Sequence, residues 1–392
     1  MSALYDIKKG KTNMKVIIAA AGTAGHINPG ISIANKIKKE NPNSEIIFIG
    51  TNRGLENDLV PKAGYKLEHI EAYGLGKNMI KNCKTFAGIF QAKKIIKNFN
   101  PDIVIGAGGY ICGPVILAAH MLKLPTILHE SNAFPGKATK MLAGITDTIL
   151  VSFEDAKNRI PKAKKVVLTG TPIQVNSEKL NNSQKQDIIK ELKLEENKPI
   201  VLIFGGSQGA RKINEAVTQL LSPNKDLNYQ IILSAGEKQY DNVIKDLKEK
   251  NIDISTNKNV KVFPYIYNMG EVEKVSDVLV CRSGAMTIAE ISILGKPAIF
   301  IPLPNVSNDH QTYNAKALES INAAKIIKND ELTGEKLNDV INSMISNENN
   351  LKIMEQNATR IAITDADDRI YKEIMNLLGR GQKVHLELLI QL

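Results

Sequence analysis

A chain of 392 residues is too long for one ordinary hydrophobic core and suits two α/β domains. With 43% hydrophobic and 23% charged residues it has a globular composition, and the absence of tryptophan argues against a stacking platform for single-stranded nucleic acid. The net charge of +10 fits nucleic acid, an anionic membrane surface or a polyanionic substrate, or else a solvated surface, since no compact Lys/Arg run dominates.

Cys83, Cys112 and Cys281 lie far apart without metal or redox spacing, which fits a reducing compartment. Residues 1–14 are polar and lysine-rich and do not read as a secretory signal. No stretch reaches the roughly 18 apolar residues that span a bilayer. The expected location is cytoplasmic, with attachment to a membrane surface open.

The first predicted strand is Val16-Ile17-Ile18-Ala19-Ala20-Ala21, followed by Gly22-Thr23-Ala24-Gly25-His26 and a helical stretch. Apolar runs at 45–49, 103–105, 126–128, 148–151 and 166–168 follow. They are continuous rather than alternating, so they predict parallel strands buried on both faces. A strand, glycines and then a helix form the layout of a phosphate-binding turn. The turn lacks Gly-x-Gly-x-x-Gly, so it is not the dinucleotide fingerprint. His26 at this turn is a candidate base for a sugar hydroxyl, or else a helix-capping histidine. Residues 75–94 mix apolar side chains with lysines, as a membrane-surface helix or as a core-facing helix with a wet lysine face. His129-Glu130-Ser131-Asn132 closes a strand with polar groups.

The junction is expected near Thr169-Gly170-Thr171-Pro172, giving one domain over 1–172 and a second over 173–350. In the second half, runs at 200–204, 231–233, 260–263, 278–280 and 298–301 are the strands. Gly205-Gly206-Ser207-Gln208-Gly209-Ala210 repeats the phosphate-binding layout, with Ser207 able to donate a hydroxyl to a diphosphate. Arg282-Ser283-Gly284-Ala285-Met286-Thr287 opens another helix, on which Glu290 can accept from a ribose diol. Gln311 and Asn314 share a helix face. Residues 351–378 read as a helix, and 351–392 as a segment returning to the first domain. Asp365-Ala366-Asp367 reads as helix-capping charge rather than a metal site, and no metal site is expected. A faint repeat relates Asp102-Ile103-Val104-Ile105 and Leu124-Pro125-Thr126-Ile127 to Asp277-Val278-Leu279-Val280 and Lys296-Pro297-Ala298-Ile299.

Several motifs together resemble the MurG family of lipid I N-acetylglucosaminyltransferases. They are Gly22 to Pro29, Gly108-Gly109-Tyr110 with Gly113-Pro114, and His129-Glu130 with Asn132. Gly205 to Ala210, Ser283-Gly284-Ala285 with Thr287 and Glu290, and His310-Gln311 with Asn314-Ala315 continue the series in order. The resemblance implies a GT-B fold, two Rossmann-like doubly wound parallel-sheet domains separated by a cleft, with 1–172 the acceptor and membrane-associating domain and 173–350 the donor domain. It implies inverting transfer of N-acetylglucosamine from UDP-GlcNAc to the 4-hydroxyl of the muramoyl sugar of lipid I, giving lipid II. That work lies at the cytoplasmic face of the cell membrane, with the protein peripheral and other cell-wall enzymes as possible partners. No cofactor and no nucleic acid are implied.

On this resemblance His26 is the first candidate base and Glu130 the second. Thr23, Ala24, Gly25 and Asn132 face sugar and diphosphate, and Gly206, Ser207 and Gln208 cradle the donor phosphates. Ile266 touches uracil, Ala285 to Glu290, with Met286 and Thr287, the phosphate and ribose, and Gln311 the donor sugar; Ser283, Gln174 and Asn314 join them as substrate-binding residues. Departures are Ala21 and Ala24 for glycines, Gln174 for an arginine at the donor, and Ser131 and Thr139 for glutamine and asparagine. The alternatives are another GT-B UDP-sugar enzyme, such as a glycolipid glycosyltransferase or a UDP-GlcNAc 2-epimerase, and a non-catalytic UDP-sugar-binding scaffold.

Overall fold

The computed structural model describes residues 13–74, 79–173, 175–206, 208–221, 227–254, 257 and 259–379. They divide into two compact units, one holding the chain to residue 174 with residues from 363 onward, the other residues 175–362.

In the first unit β1 (Lys15–Ala20), α1 (Ala24–Glu40), β2 (Glu45–Gly50), α2 (Glu56–Lys62), β3 (Lys66–His69), α3 (Met79–Phe99) and β4 (Ile103–Gly108) come first. Then follow α4 (Cys112–Met121), β5 (Thr126–Glu130), α5 (Lys137–Leu142), β6 (Thr148–Val151), α6 (Glu154–Lys157) and β7 (Val166–Leu168). The strands are parallel, in the order β3-β2-β1-β4-β5-β6-β7. Alternate side chains of one strand enter different cores. Ile17, Val104 and Ile149 pack with Ile96, Val115 and Ile116 on one face. Val16, Ile18 and Ile105 pack with Ile33 and Ile37 on the other. Burial on both faces is why the strands read as continuous apolar runs.

The second unit has α7 (Asn182–Glu191), β8 (Ile200–Phe204), α8 (Arg211–Leu220), β9 (Gln230–Ser234), α9 (Tyr240–Glu249), β10 (Val260–Phe263) and α10 (Met269–Val275). It continues with β11 (Val278–Cys281), α11 (Ala285–Leu294), β12 (Ala298–Phe300), α12 (His310–Glu319), β13 (Ala324–Ile326), α13 (Gly334–Ile345) and α14 (Glu348–Arg360). Its parallel sheet runs β10-β9-β8-β11-β12-β13. Strand order reverses between β1 and β4 here and between β8 and β11 there, the places where open α/β sheets take ligands at the carboxyl ends of their strands.

The faint sequence repeat is a structural one. Asp102 accepts the Lys15 N–H at 2.8 Å, and Asp277 accepts the Ile200 N–H at 2.8 Å. In return each aspartate N–H donates to the carbonyl of that same residue, also at 2.8 Å. Both pairs lock the first strand of the motif to the strand across the reversal.

The helical stretch predicted over 351–378 is two helices. α14 packs on α11 and α13 in the second unit, whereas α15 (Ala366–Leu377) belongs to the first unit. Ile370 and Ile374 of α15 enter the α1 core, and Lys36 bridges Asp368 at 2.7 Å and Glu40 at 2.6 Å. Asp365 stands at the N-cap position but makes no side-chain cap bond; its carboxylate pairs with Arg369 at 2.8 Å.

Glu56 fixes the turn after β1 and was not among the predicted site residues. It is fully buried at the start of α2, where a Cβ on Gly50 would stand 2.8 Å from its Cγ. The carboxylate accepts the N–H groups of Gly22 and Thr51, each at 3.0 Å, and the Thr51 hydroxyl at 2.7 Å. Burial pushes its pKa up, but the Gly22 N–H and the Thr51 hydroxyl, helped by the Glu56 and Thr51 N–H groups, outweigh burial and hold it below the ordinary value. A depressed carboxylate contributes stability above its unfolded value and loses it as pH falls through the folded value. Glu56→Gln turns an amide donor toward donors, so it is expected to cost about 2 kcal/mol near neutral pH. Denaturant melts should show that gap narrowing as the pH drops below about 4.5; a constant gap would mean the charge of Glu56 is not what holds the turn.

Candidate active site

In the first unit α1 starts directly after the glycine turn. Thr23 is its N-cap residue and makes no side-chain cap bond, while the Thr23 carbonyl accepts the N–H groups of His26 at 3.0 Å and Ile27 at 3.2 Å. There is no acidic residue in the first turn, and Lys38 and Lys39 stand in the last, so the positive end of the helix dipole is left for a ligand. Thr23 and Gly25 are exposed, Ala24 and His26 half-buried.

The His26 ring lies on backbone from the neighbouring strand end. A Cβ on Gly108 would stand 2.5 Å from its Cδ2, and one on Gly109 would stand 3.3 Å from its Nδ1. Both glycines have left-handed φ, 131° and 82°. No side-chain-bearing residue fits there without displacing the ring. Behind them Cys112 links the two strand ends: its Sγ accepts the Gly108 N–H at 3.3 Å and faces the Ala19 carbonyl at 3.7 Å. Burial pushes this thiol up to about 12, so it is a packing group.

At the end of β5 the carboxylate of Glu130 is buried and fully engaged. One oxygen accepts the backbone and side-chain N–H groups of Asn132, each at 3.1 Å. The other accepts the Gly136 N–H at 2.8 Å and the Thr139 hydroxyl at 2.6 Å. His129 donates from Nε2 to the Gly170 carbonyl at 3.1 Å, and its Nδ1 faces the Ser131 hydroxyl at 3.3 Å. Burial lowers its pKa and outweighs the Gly170 carbonyl and the Glu130 charge, which push the other way, while His26 adds a little to the lowering, so His129 is held neutral. Ser131 and Thr139 therefore fill definite roles where the resemblance has larger amides.

In the second unit the turn after β8 is built by close backbone approach. A Cβ on Gly205 would overlap Ala210, and one on Gly209 would overlap the Ala235 carbonyl, which also accepts the Asn214 side chain at 2.9 Å. Gly206 is the opposite case, with φ 88° and nothing within 4 Å of a Cβ, so its backbone is open to a ligand. Gln208 is exposed beside it, and α8 starts with no side-chain cap. Ser207 and Gln174 lie outside the described residues.

Across the strand reversal, α11 begins at Ala285 with Gly284 as N-cap and no acidic residue in its first turn. Met286, Thr287 and Glu290 on that helix are half-buried. Ser283 and Asn314 are fully buried. The Ser283 hydroxyl donates to the Gln311 carbonyl at 2.8 Å, and Asn314 Nδ2 donates to the Ser283 carbonyl at 3.2 Å. These two side chains brace the loop rather than face outward. Gln311 accepts the Leu303 N–H at 2.9 Å through its side-chain oxygen. Arg282, which the sequence did not single out as a site residue, holds the Ile301 carbonyl and Asn329, each at 2.9 Å. Asn305, Asn308 and Asp309 all adopt left-handed φ, so the loop into α12 carries backbone strain. Ile266 is 6% exposed between Tyr265 and Tyr267, whose rings meet edge-on at 4.9 Å.

Comparison with known proteins agrees with this layout. Residues 16–151 match the glycosyltransferase family 28 N-terminal domain and residues 200–370 the glycosyltransferase family 28 C-terminal domain. The chain is 42% identical over 371 residues to the UDP-N-acetylglucosamine--N-acetylmuramyl-(pentapeptide) pyrophosphoryl-undecaprenol N-acetylglucosamine transferase of Acetivibrio thermocellus, covering 93% of this chain and 98% of the relative. It is 40% identical to the protein of that name from Thermoanaerobacter sp. strain X514, covering 93% and 100%. The crystal structure of Acinetobacter baumannii MurG superposes with a TM-score of 0.77 at 28% identity, covering 93% and 99%. The UDP-GlcNAc 2-epimerase of Neisseria meningitidis, at 15% identity and a TM-score of 0.63 over 93% and 100%, shares the fold alone. With both domain matches in order on two parallel-sheet units, the chain belongs to glycosyltransferase family 28.

Proposed function

We propose that this chain transfers N-acetylglucosamine from UDP-GlcNAc to the 4-hydroxyl of the muramoyl sugar of lipid I, with inversion at the anomeric carbon. The observation that carries this reading is near-complete coverage of relatives bearing that activity in their names, at about 40% identity. In one displacement the acceptor hydroxyl attacks the anomeric carbon, the bond to the diphosphate breaks, and a base takes the hydroxyl proton.

His26 is the base in this reading. Among its titratable neighbours, His129 is neutral and committed to Gly170, and Glu130 is spent on four donors. Glu130 then serves as a positioning residue that shapes the loop carrying Asn132. The departing diphosphate gains charge, which the open backbone at Gly206 and the uncapped start of α11 meet with N–H groups already in place. Glu290 takes the ribose diol, and Ile266 offers an apolar contact to the uracil.

The acceptor's lipid anchor calls for a membrane surface. Among the described residues no helix is long and apolar enough to cross a membrane. α3 buries Thr85, Gly88, Ala92 and Ile96 and leaves Met79, Ile80, Phe86 and Phe90 exposed at 77%, 72%, 59% and 71%. Lys84, Lys94 and Lys97 are exposed on the same helix. Apolar side chains among lysines suit peripheral attachment to an anionic leaflet, here its cytoplasmic face.

Labelled UDP-GlcNAc incubated with lipid I should yield labelled lipid II. Tight UDP binding without transfer would leave a scaffold instead. His26→Ala is expected to lower turnover at least about a hundredfold with UDP affinity nearly unchanged; loss of both together would make His26 a structural residue. The fourfold change Phe86→Ser, Phe90→Ser, Lys84→Glu and Lys94→Glu should weaken binding to vesicles containing anionic lipid by about tenfold or more. Undiminished vesicle binding would remove α3 from the membrane surface.

A further inference from the structure

Two carboxyl side chains meet inside the second unit, Glu273 on α10 and Glu290 on α11. Glu273 is 1% exposed, and Glu290 is half-buried. No N–H or hydroxyl among the described residues donates to the buried Oε2 of Glu273. The hydrogen-bond partner of its side chain is the Glu290 carboxyl. Two carboxyl groups can bond each other only when one keeps its proton. Burial favours the neutral form, so the deeper group, Glu273, keeps the proton and Glu290 accepts.

The surrounding charges do not take this proton's place. Lys296 acts on Glu273, but its Nζ is bound to the Lys274 and Ser276 carbonyls, each at 2.7 Å. Lys185 on α7, Asp277 and Glu355 on α14 act on Lys296. The Arg282 guanidinium is turned to the Ile301 and Pro302 carbonyls and Asn329. The Cys281 thiol is held protonated by burial, with the Glu290 carboxylate acting in the same direction.

We infer that Glu273 is a positioning residue for the nucleotide: as a neutral acid it donates to Glu290 and fixes that carboxylate, still anionic, to accept both hydroxyls of a ribose diol. The inference rests on the proposed reading of Glu290 as the ribose contact. Burial first, then the charge and hydrogen bond of Glu290, push Glu273 up to about 8, with Lys296 pulling the other way. Above that value the shared proton leaves, two anions stand side by side, and the Glu290 carboxylate loses its fixed direction. Ribose recognition should therefore fail on the alkaline side.

Calorimetric titration of the full chain with UDP and with 2′,3′-dideoxy-UDP, from about pH 6.5 to about pH 9, tests this. UDP affinity should fall above about pH 8 toward tenfold per pH unit, while the weaker dideoxy-UDP affinity should stay level. Glu273→Leu, which has no donor, should weaken UDP about tenfold at pH 7. Glu273→Gln, which keeps a donor and cannot ionise, should restore most of that loss and abolish the alkaline fall. A Glu273→Gln profile that falls like the wild type overturns the inference, and this variant decides the matter where Glu273→Leu fails to fold. Glu290→Ala tests the underlying reading by itself: it should weaken UDP and leave dideoxy-UDP unaffected. Unchanged UDP binding in Glu290→Ala would overturn the ribose assignment, and the role of Glu273 with it.

Discussion

Parallel strands deliver all their carboxyl ends to one edge of a sheet, and at a reversal of strand order the loops from two neighbouring strands diverge there. In each unit the backbone at this edge packs too closely for side chains at particular positions. Gly108 and Gly109 lie beneath the His26 ring, and Gly209 lies against the Ala235 carbonyl. These glycines are required by contact distance together with left-handed φ. The remaining site geometry depends on this approach. Cys112 joins the strand ends behind Gly108, Glu56 holds Gly22, and Asn214 holds Ala235.

Strands buried on both faces announce themselves as continuous apolar runs, and the central strands were legible for that reason. β3 and β13 are edge strands with half-exposed sequences, Lys-Leu-Glu-His and Ala-Lys-Ile, and they carry no such run. The glycine turns were legible because strand, glycine and helix are adjacent in the chain. Glu56 was not, because it reaches Gly22 across 34 residues through the pairing of β1 with β2. Glu273 was hidden for the same kind of reason: nothing local separates it from the other glutamates of a helix, and only its burial against Glu290 gives it chemistry. Ser283 and Asn314 show the converse, since motif membership marks a residue without telling bracing from contact.

The resemblance between the two units is strongest where no chemistry is expected. Asp102 and Asp277 make the same pair of 2.8 Å bonds to Lys15 and Ile200 at the starts of their strands. Those bonds set the register between the two strands that flank the reversal. A slip there would move every side chain of a strand to the other face and empty both cores at once. Register at the amino ends is thus fixed by these bonds together with packing, and the loops at the carboxyl ends are free to differ.

They differ in the kind of group that they present. The first unit's edge carries ionisable side chains, His26, His129 and Glu130, and each of them is engaged with neighbouring groups, His26 Nδ1 with the Thr23 hydroxyl at 3.5 Å. The second unit's edge presents backbone, with Gly206 open and two helices starting without side-chain caps. A proton acceptor and a cradle for developing phosphate charge make opposite electrostatic demands. An array of N–H groups at a helix start stabilises anions, whereas a base gains positive charge as it works. On the proposed reading of His26 and of the Gly206 turn, the two tasks fall on separate sheets, so that each edge can be tuned by its own loops.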